Sequence, residues 1–451
     1  MVVFTSRRSV SNDHLGLLEQ YSTVRSHLGI YLNVGVTATY WKQSREAVKP
    51  ALFRALAVVI LKHPILSAVP IHTHTMSPRF VQLSQISLQN TVTFIQASDY
   101  CQPPATGHCL DELLEEQHNR PFTHETPLSP FWRLLVAEDT TETSRFTVSF
   151  IFHHCLADTQ SALVFHEDLE DALSNPSLNP SIEVVSITIL DLLPPLENLL
   201  ELSLSYKFLD RQRTYRTPSP DTWTAAPQSV PVKSRFTSLW LPSATTQNLQ
   251  RMAKNERSSM TAMLQSLLAA SIFHILPLSY TTLTADCAVS LRRWLQHPIN
   301  KSSIGCYVGS FSQTYTRSSF SWDEARKTKI TIDKVMDNPG ADMSVGYLRC
   351  VPDMHQWFGR KMGQQRLSAF ELSNVGTMTP STKHGNYQIQ SMLFSQSASA
   401  CSGAIKVSAV TGRDGRLALR VSWQVGVVND DMIQGLVAQV LEEVENLVAT
   451  C

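Results

Sequence analysis

Hydrophobic and polar positions follow two different periods along this 451-residue chain. The segment from Arg145 to Phe152 alternates apolar with small polar residues, which predicts a strand, and a preceding strand is predicted at Phe131–Val136. Apolar residues then recur at every third or fourth position, which predicts a helix from Thr159 to Leu173. Further strands are predicted at Ile30–Tyr40, Arg79–Leu83, Val92–Ile95, 235–242, 286–294, Ala369–Ser373, Gly403–Thr411 and Leu417–Gln424, and further helices near 45–63, 243–256, 258–276 and Asp430–Leu447.

Strands and helices alternate in both halves of the chain, with helices early and strands late in each. This order predicts an α/β fold of two similar domains. Prolines accumulate between them, which indicates a connecting segment. We therefore predict an N-terminal domain at 1–185, a connection at 186–233 and a C-terminal domain at 234–451. An amphipathic helix is expected at Ile189–Leu209.

The composition excludes several classes of protein. Apolar residues make up 43% of the chain and charged residues 17%, enough to bury a large core. The 38 basic and 38 acidic residues balance, so nucleic acid is not expected as a partner. We predict no secretory signal and no transmembrane segment. Eight cysteines without CxxC pairs favour a reduced, cytoplasmic protein, which we expect to be a monomer.

The stretch TVSFIFHHCLADTQSALVF carries the candidate chemistry. Its strand ends on His153 and His154, and Asp158 precedes the helix. An imidazole at such a strand end can take a proton from a hydroxyl or an amine. The same residues also fit plainer roles: a histidine packed in the core, and an aspartate that only caps the helix. A metal site that adds His166 is disfavoured, because side chains of adjacent strand residues diverge.

The spacing His153-His154-x-x-x-Asp158 resembles the HHxxxD signature of the chloramphenicol acetyltransferase-like acyltransferases. Four other segments are similar to the fungal alcohol acetyltransferases of that superfamily: LGLLEQYSTVRSHLGIYLNVGVTATY near the start, VSLRRW, FELSNVGTM and LALRVSWQVGVVND. Together they extend the resemblance over most of the chain, from about Leu15 to Leu447. The resemblance implies two chloramphenicol acetyltransferase-like domains with an active-site tunnel between them.

The resemblance also implies a role for each matching residue. His154 would be the general base, and His153 would support it. Asp158 would pair with Arg292 and fix the turn that aims the imidazole. Ser373 and Asn374 are candidates for stabilising the oxyanion or binding substrate, although a simple strand-end turn explains them equally well. Two features depart from the pattern: Thr159 stands where a glycine is usual, either narrowing the tunnel mouth or capping the helix, and the DFGWG motif of the plant enzymes is absent.

The implied reaction moves an acyl group, most simply acetyl, from acyl-CoA to an alcohol or amine, including acceptors of secondary metabolism. No permanently bound cofactor is needed, because acyl-CoA is a co-substrate. Two alternatives stay open. The acyl group could instead arrive on a carrier protein, as in condensation enzymes, or the protein could keep the fold without catalysis and act as a binding protein.

Overall fold

The structure is a computed structural model, and it describes residues 14–96, 108–123, 129–138, 144–175, 182–214, 217–379 and 385–449. Its helices are α1 (Leu17–His27), α2 (Val48–Lys62), α3 (Leu88–Thr91), α4 (His108–Asn119), α5 (Thr159–Ser174), α6 (Tyr206–Arg213), α7 (Ser243–Asn255), α8 (Met260–Ile275), α9 (Trp322–Asp337), α10 (Ser344–Tyr347), α11 (Met354–Gly359) and α12 (Asp430–Ala449). Its strands are β1 (Asn33–Lys42), β2 (Ala68–Ile71), β3 (Arg79–Gln82), β4 (Gln85–Ser87), β5 (Val92–Gln96), β6 (Trp132–Glu138), β7 (Arg145–His153), β8 (Val184–Ser186), β9 (Ser234–Leu241), β10 (Thr282–Ser290), β11 (Val308–Thr316), β12 (Phe370–Thr377), β13 (Tyr387–Gln396), β14 (Ile405–Thr411) and β15 (Leu417–Gln424).

Two mixed sheets organise these elements, which confirms the predicted α/β class. The first has the strand order β13-β1-β7-β6-β5, and the second has the order β11-β10-β12-β14-β15-β9. Strand β7, which carries the two histidines at its end, lies in the middle of the first sheet between β1 and β6. Its residues from Phe146 to His153 are all buried, because helices and neighbouring strands cover both faces.

The second half of the chain also contributes to the first sheet. Strand β13 pairs antiparallel with β1, so a strand from beyond residue 386 closes one edge of the N-terminal sheet. In the other direction, Asp111 of α4 accepts hydrogen bonds from the backbone and side chain of Ser238 on β9. The β13–β1 pairing and the hydrogen bonds between Asp111 and Ser238 thus connect the two halves of the chain. The division into domains at residues 185 and 234 stays a prediction.

The connecting segment differs from its predicted form. No continuous helix runs through Ile189–Leu209. The chain is extended up to Pro195 and then forms a short 3-10 turn at Leu196–Asn198. Pro194 and Pro195 explain the difference, since proline cannot donate the backbone hydrogen bond that a helix interior needs. The first α-helix of this segment, α6, begins only at Tyr206.

Within the described ranges, no single helix has both the length and the apolar composition needed to cross a membrane. Helices α7 and α8 meet the criteria only when taken together, and the chain bends by 101° between them.

Candidate active site

The imidazole of His154 lies just after β7, in the turn that leads to α5. Its Nδ1 is 2.9 Å from the carbonyl oxygen of Ala157. A carbonyl only accepts, so Nδ1 carries the proton and donates it, and in the neutral ring Nε2 keeps a free lone pair. The hydrogen bond thus fixes both the ring orientation and the tautomer that a general base requires.

Burial and a nearby cation keep this imidazole neutral. Removal from water and the Arg25 guanidinium lower the pKa of His154 to about 4, although the Asp158 carboxylate acts in the opposite direction and the residue stays partly exposed. Arg25 stacks on Tyr31 with its Cζ 4.5 Å from the ring centroid, and Tyr31 lies 5.9 Å from the His154 ring, centroid to centroid. At neutral pH His154 is therefore available to accept a proton.

His153 points away from His154 and holds the turn from its other side. Its Nδ1 accepts a hydrogen bond from the backbone N–H of Cys155 at 3.1 Å, and its ring packs 5.5 Å from that of Phe131. Only 2% of the residue is exposed. An accepting Nδ1 requires a neutral ring. The supporting role that the resemblance implied for His153 stays a prediction.

Asp158 is fully engaged through both carboxylate oxygens. Oδ1 accepts from the backbone N–H and the hydroxyl of Ser161, each at 3.0 Å, which makes Asp158 the N-cap of α5. Oδ2 accepts from Arg292 Nη1 at 2.6 Å and from the backbone N–H of Tyr307 at 3.0 Å. Burial raises the pKa of Asp158, but Arg292 and these N–H donors outweigh it and hold the pKa below its ordinary value.

Arg292 brings the second half of the chain to this turn. It lies in a one-turn 3-10 helix just beyond β10, rather than in the strand predicted through 286–294. Its Nη2 donates to Ser161 Oγ at 2.7 Å and to the Gly305 carbonyl at 3.1 Å. Gly305 in turn accepts from the backbone N–H of Asp158, so a segment 150 residues downstream locks the end of the turn.

Ser373 and Asn374 lie on β12, where the sequence predicted a strand. The Asn374 amide donates to Thr261 Oγ1 at 3.0 Å and accepts from the backbone N–H of Gly376 at 2.9 Å. The second contact lies within β12, where the pairing with β14 shifts register between Asn374 and Thr377. A role of either residue in oxyanion stabilisation stays a prediction.

A cavity of about 590 Å³ borders this region. Arg292 and Gln160 from the locked turn line one side, and Asn374 and Thr261 line another. Arg293 and Lys301, both exposed, add positive charge at its edge. A cavity of this size with a basic rim is suited to an extended ligand that carries negative charge.

His166, the fourth residue of the disfavoured metal site, has another use. Its Nδ1 is 2.8 Å from the Tyr40 hydroxyl and its Nε2 is 3.0 Å from the Val36 carbonyl. Both ring nitrogens are thus occupied by hydrogen bonds inside the first sheet's core. His166 ties α5 to β1 and does not face His154 as a common ligand set would require.

The chain matches the model of the alcohol acetyltransferase family over residues 107–444. It belongs to the alcohol acetyltransferase family. A probable alcohol acetyltransferase of Aspergillus fumigatus, crmB, is 33% identical over 447 residues, which cover 92% of this chain and 95% of that protein. The family assignment places the His154 turn in an acyltransferase.

Solved structures agree on the fold. The trichothecene 15-O-acetyltransferase TRI3 of Fusarium sporotrichioides is similar with a TM-score of 0.69 at 13% identity, covering 97% of this chain and 94% of that one. The first condensation domain of the calcium-dependent antibiotic synthetase is similar with a TM-score of 0.61 at 13% identity, covering 98% and 97%. At these identities the likeness extends to the chloramphenicol acetyltransferase-like fold alone, while the tunnel between the domains stays a prediction.

Several residues that build this candidate site were not identified from the sequence. Ser161 follows the aspartate by three residues, the spacing of an N-cap contact, so that signal was present. Tyr307 reaches Asp158 through its backbone N–H, a contact that the residue type does not reveal. Arg25 and Tyr31 lie in the similar N-terminal segment, but nothing in their spacing indicates that they approach a histidine 120 residues later.

Proposed function

We propose that this protein transfers an acyl group, most simply acetyl, from acyl-CoA to a hydroxyl or amine of a small molecule, with His154 as general base. The observation that carries the proposal is the free lone pair on His154 Nε2, fixed by the hydrogen bond from Nδ1 to Ala157. An activated thioester needs no enzyme nucleophile, so one well-placed base is a sufficient catalytic group.

The proposed reaction has two steps. Nε2 takes the acceptor's proton as the acceptor oxygen or nitrogen attacks the thioester carbon, giving a tetrahedral oxyanion. The C–S bond then breaks, and the CoA thiolate takes up the proton from the imidazolium. General-base assistance of this kind contributes roughly 10²–10⁴-fold. The Asp158–Arg292 pair would keep the turn rigid without touching the substrate.

The 590 Å³ cavity supports CoA as the donor. Its basic rim at Arg293 and Lys301 matches the negative charge of CoA phosphates, and Arg292 connects it to the turn that holds His154. Family membership supports an acetyl group and an alcohol acceptor, and the named relatives suggest a place in secondary metabolism. Free buried thiols at Cys155, Cys287 and Cys306 fit the cytoplasm, where acyl-CoA would be supplied.

A carrier-protein donor is the second candidate, because the fold likeness extends to a condensation domain. Calorimetry with CoA separates the two donors. We expect CoA to bind and the double variant Arg293→Gln, Lys301→Gln to weaken binding at least about tenfold, since each lost charge removes a phosphate contact. Absence of CoA binding to the wild-type protein would favour the carrier-protein donor.

The central experiment uses radiolabelled acetyl-CoA, a panel of alcohols and amines, and detection of free CoA thiol. His154→Ala should lower turnover by about 10²–10⁴-fold. His74→Ala changes an exposed histidine elsewhere and is the matched control. Equal turnover by wild type and His154→Ala would refute the base, and no turnover of any acceptor by a CoA-binding wild type would favour the non-catalytic alternative.

A further inference from the structure

A second cavity, of about 310 Å³, borders the His154 turn at Cys155 and Leu156. It is lined by the start of α1, the connection at 192–198 and the segment 304–307. Its walls include the apolar residues Leu15, Phe80 and Leu156. They also include two acids, Glu19 and Glu197. The proposed acyl transfer uses neither acid.

The two carboxyl groups converge. A Cβ built on Gly16 would clash with Pro195 Cβ and would lie 2.5 Å from Glu19 Oε2 and 3.1 Å from Glu197 Oε1, so both carboxyl groups pack close to Gly16 and Pro195 at the cavity wall. Glu197 Oε1 accepts the backbone N–H of Leu17 at 2.7 Å. Glu19 is only 9% exposed, yet its Oε2 has no hydrogen-bond partner, and the same holds for Glu197 Oε2.

No basic side chain in the described part of the chain forms an ion pair with either acid. A buried carboxylate without a cation is costly. Glu19 is instead protonated at neutral pH, because burial and then the negative charge of Glu197 raise its pKa to about 8. In the described part of the chain, the two acids therefore lie at the cavity wall without a compensating cation.

We propose that this cavity binds an organic ammonium ion, with the charged head between Glu19 and Glu197 and an apolar body against Leu15, Phe80 and Leu156. The volume has room for about ten water-sized groups, which fits a short alkyl or arylalkyl amine. A metal ion is disfavoured, because no cluster of three or more His, Cys, Asp or Glu able to hold one occurs among the described residues.

The inference goes beyond the proposed acyl transfer and is tested without any acyl donor. Calorimetry compares hexylammonium and 2-phenylethylammonium with the neutral, nearly isosteric hexan-1-ol and 2-phenylethanol. We expect each ammonium ion to bind at least about tenfold more tightly than the matching alcohol, since only the ammonium ion neutralises the negative charge of the carboxylates.

Glu19→Gln and Glu197→Gln keep the side-chain shape and should each weaken ammonium binding at least about tenfold. Glu201→Gln removes the same charge from an exposed position of the same connection and should change affinity less than about twofold. Thermal unfolding of each variant checks that it is folded. Equal affinity for ammonium and alcohol, or unchanged ammonium affinity in both site variants, would overturn the proposal, as would Mg²⁺ or Zn²⁺ competing for the site.

Proton release gives an independent readout. Bound ammonium requires ionised Glu19, so binding at pH 7 should release close to one proton and tighten as the pH rises towards 8. Buffers of different ionisation enthalpy measure that release. The other titratable groups near Glu19 are Glu197, His14, Cys155, Cys306 and Tyr307. Release that persists in Glu19→Gln would assign the proton to one of these groups and contradict the role of Glu19.

Discussion

Asp158 and Glu19 are two buried carboxyl groups near the His154 turn, and their surroundings shift their pKa values in opposite directions. Asp158 is 4% exposed and Glu19 is 9% exposed, so their degree of burial does not explain the difference between their pKa shifts. Both also lie at a helix N-terminus, where the helix dipole favours negative charge. The difference lies in their partners: four donor groups including a guanidinium for Asp158, and a second acid for Glu19.

The comparison shows that partners from distant parts of the chain, rather than burial, set the charge of an acid. Asp158 is held as an anion by Arg292 and therefore serves as a rigid anchor for the His154 turn. Glu19 carries a proton at neutral pH that a ligand cation can displace. Four predictions test this contrast.

Loss of the Arg292 cation should have the largest effect. Arg292→Met leaves Asp158 buried without its counter-ion, which we expect to cost about 3–5 kcal/mol in the free energy of unfolding and to abolish turnover. Arg293→Met removes an exposed neighbour stacked on Trp294 and should cost less than about 1 kcal/mol. Urea denaturation measures the free energy of unfolding of both variants. Similar losses of unfolding free energy in the two variants would show that the Asp158–Arg292 pair does not anchor the turn.

The two acids should respond to pH with opposite signs. Between pH 4.5, the ordinary pKa of glutamate, and about 8, folded Glu19 keeps a proton that the unfolded chain has released, so this residue lowers stability as pH rises. Glu19→Gln removes this pH dependence of stability. Its free energy of unfolding should exceed that of wild type by on the order of a few kcal/mol at pH 8 and should differ little from it below pH 4.5.

Asp158→Asn should change stability with the opposite sign. The depressed pKa of Asp158 contributes stability that is present above 3.8 and is lost as pH falls through the folded value, so the variant should lose most at neutral pH. Urea midpoints from about pH 2 to 8 compare the three proteins, so that the series includes the range below 3.8 in which the Asp158 contribution is lost. Parallel curves for wild type and Glu19→Gln would show that Glu19 holds no proton at neutral pH.

The pH dependence of turnover sharpens the comparison for His154, whose pKa is also shifted by its surroundings. If neutral His154 is the base, as proposed, its pKa of about 4 predicts that kcat/KM varies less than about twofold between pH 6 and 8 and falls by half near pH 4. Initial rates over this range, with stability checked separately, give the profile. A half-maximal rate near pH 6.5 would mean that burial and Arg25 do not lower the pKa of His154.

Thr159→Gly should have the smallest effect. Asp158 is the N-cap of α5 and Thr159 is the first helical residue, so the suggestion that Thr159 caps the helix is wrong. Glycine there should cost at most about 0.5 kcal/mol through lost helix propensity, because threonine is itself a weak helix former. Turnover should change less than about threefold if Thr159 does not narrow a substrate path. A large gain in turnover with bulky acceptors would show that it does.

The sequence located the local elements well because their signals are local. The alternation in β7, the helical period in α5 and the spacing from His154 to Asp158 all lie within thirty residues, and the structure places those elements where the patterns predicted them. Prediction failed at Ile189–Leu209, where apolar content suggested a helix that two adjacent prolines prevent. Strands β11 and β13 were missed, although Tyr387 to Gln390 at the start of β13 alternate apolar with polar residues.

What the sequence alone determined was the fold class, the histidine–aspartate motif and, through resemblance, the acyltransferase family and the pairing of Asp158 with Arg292. Only the tertiary structure decided the tautomer of His154, its low pKa beside Arg25 and Tyr31, the crossing of β13 into the first sheet, and the meeting of Glu19 with Glu197. The physical reason is that protonation and hydrogen bonding depend on distances between groups in the folded chain, many of them more than a hundred residues apart, and periodicity along the chain contains no information about those distances.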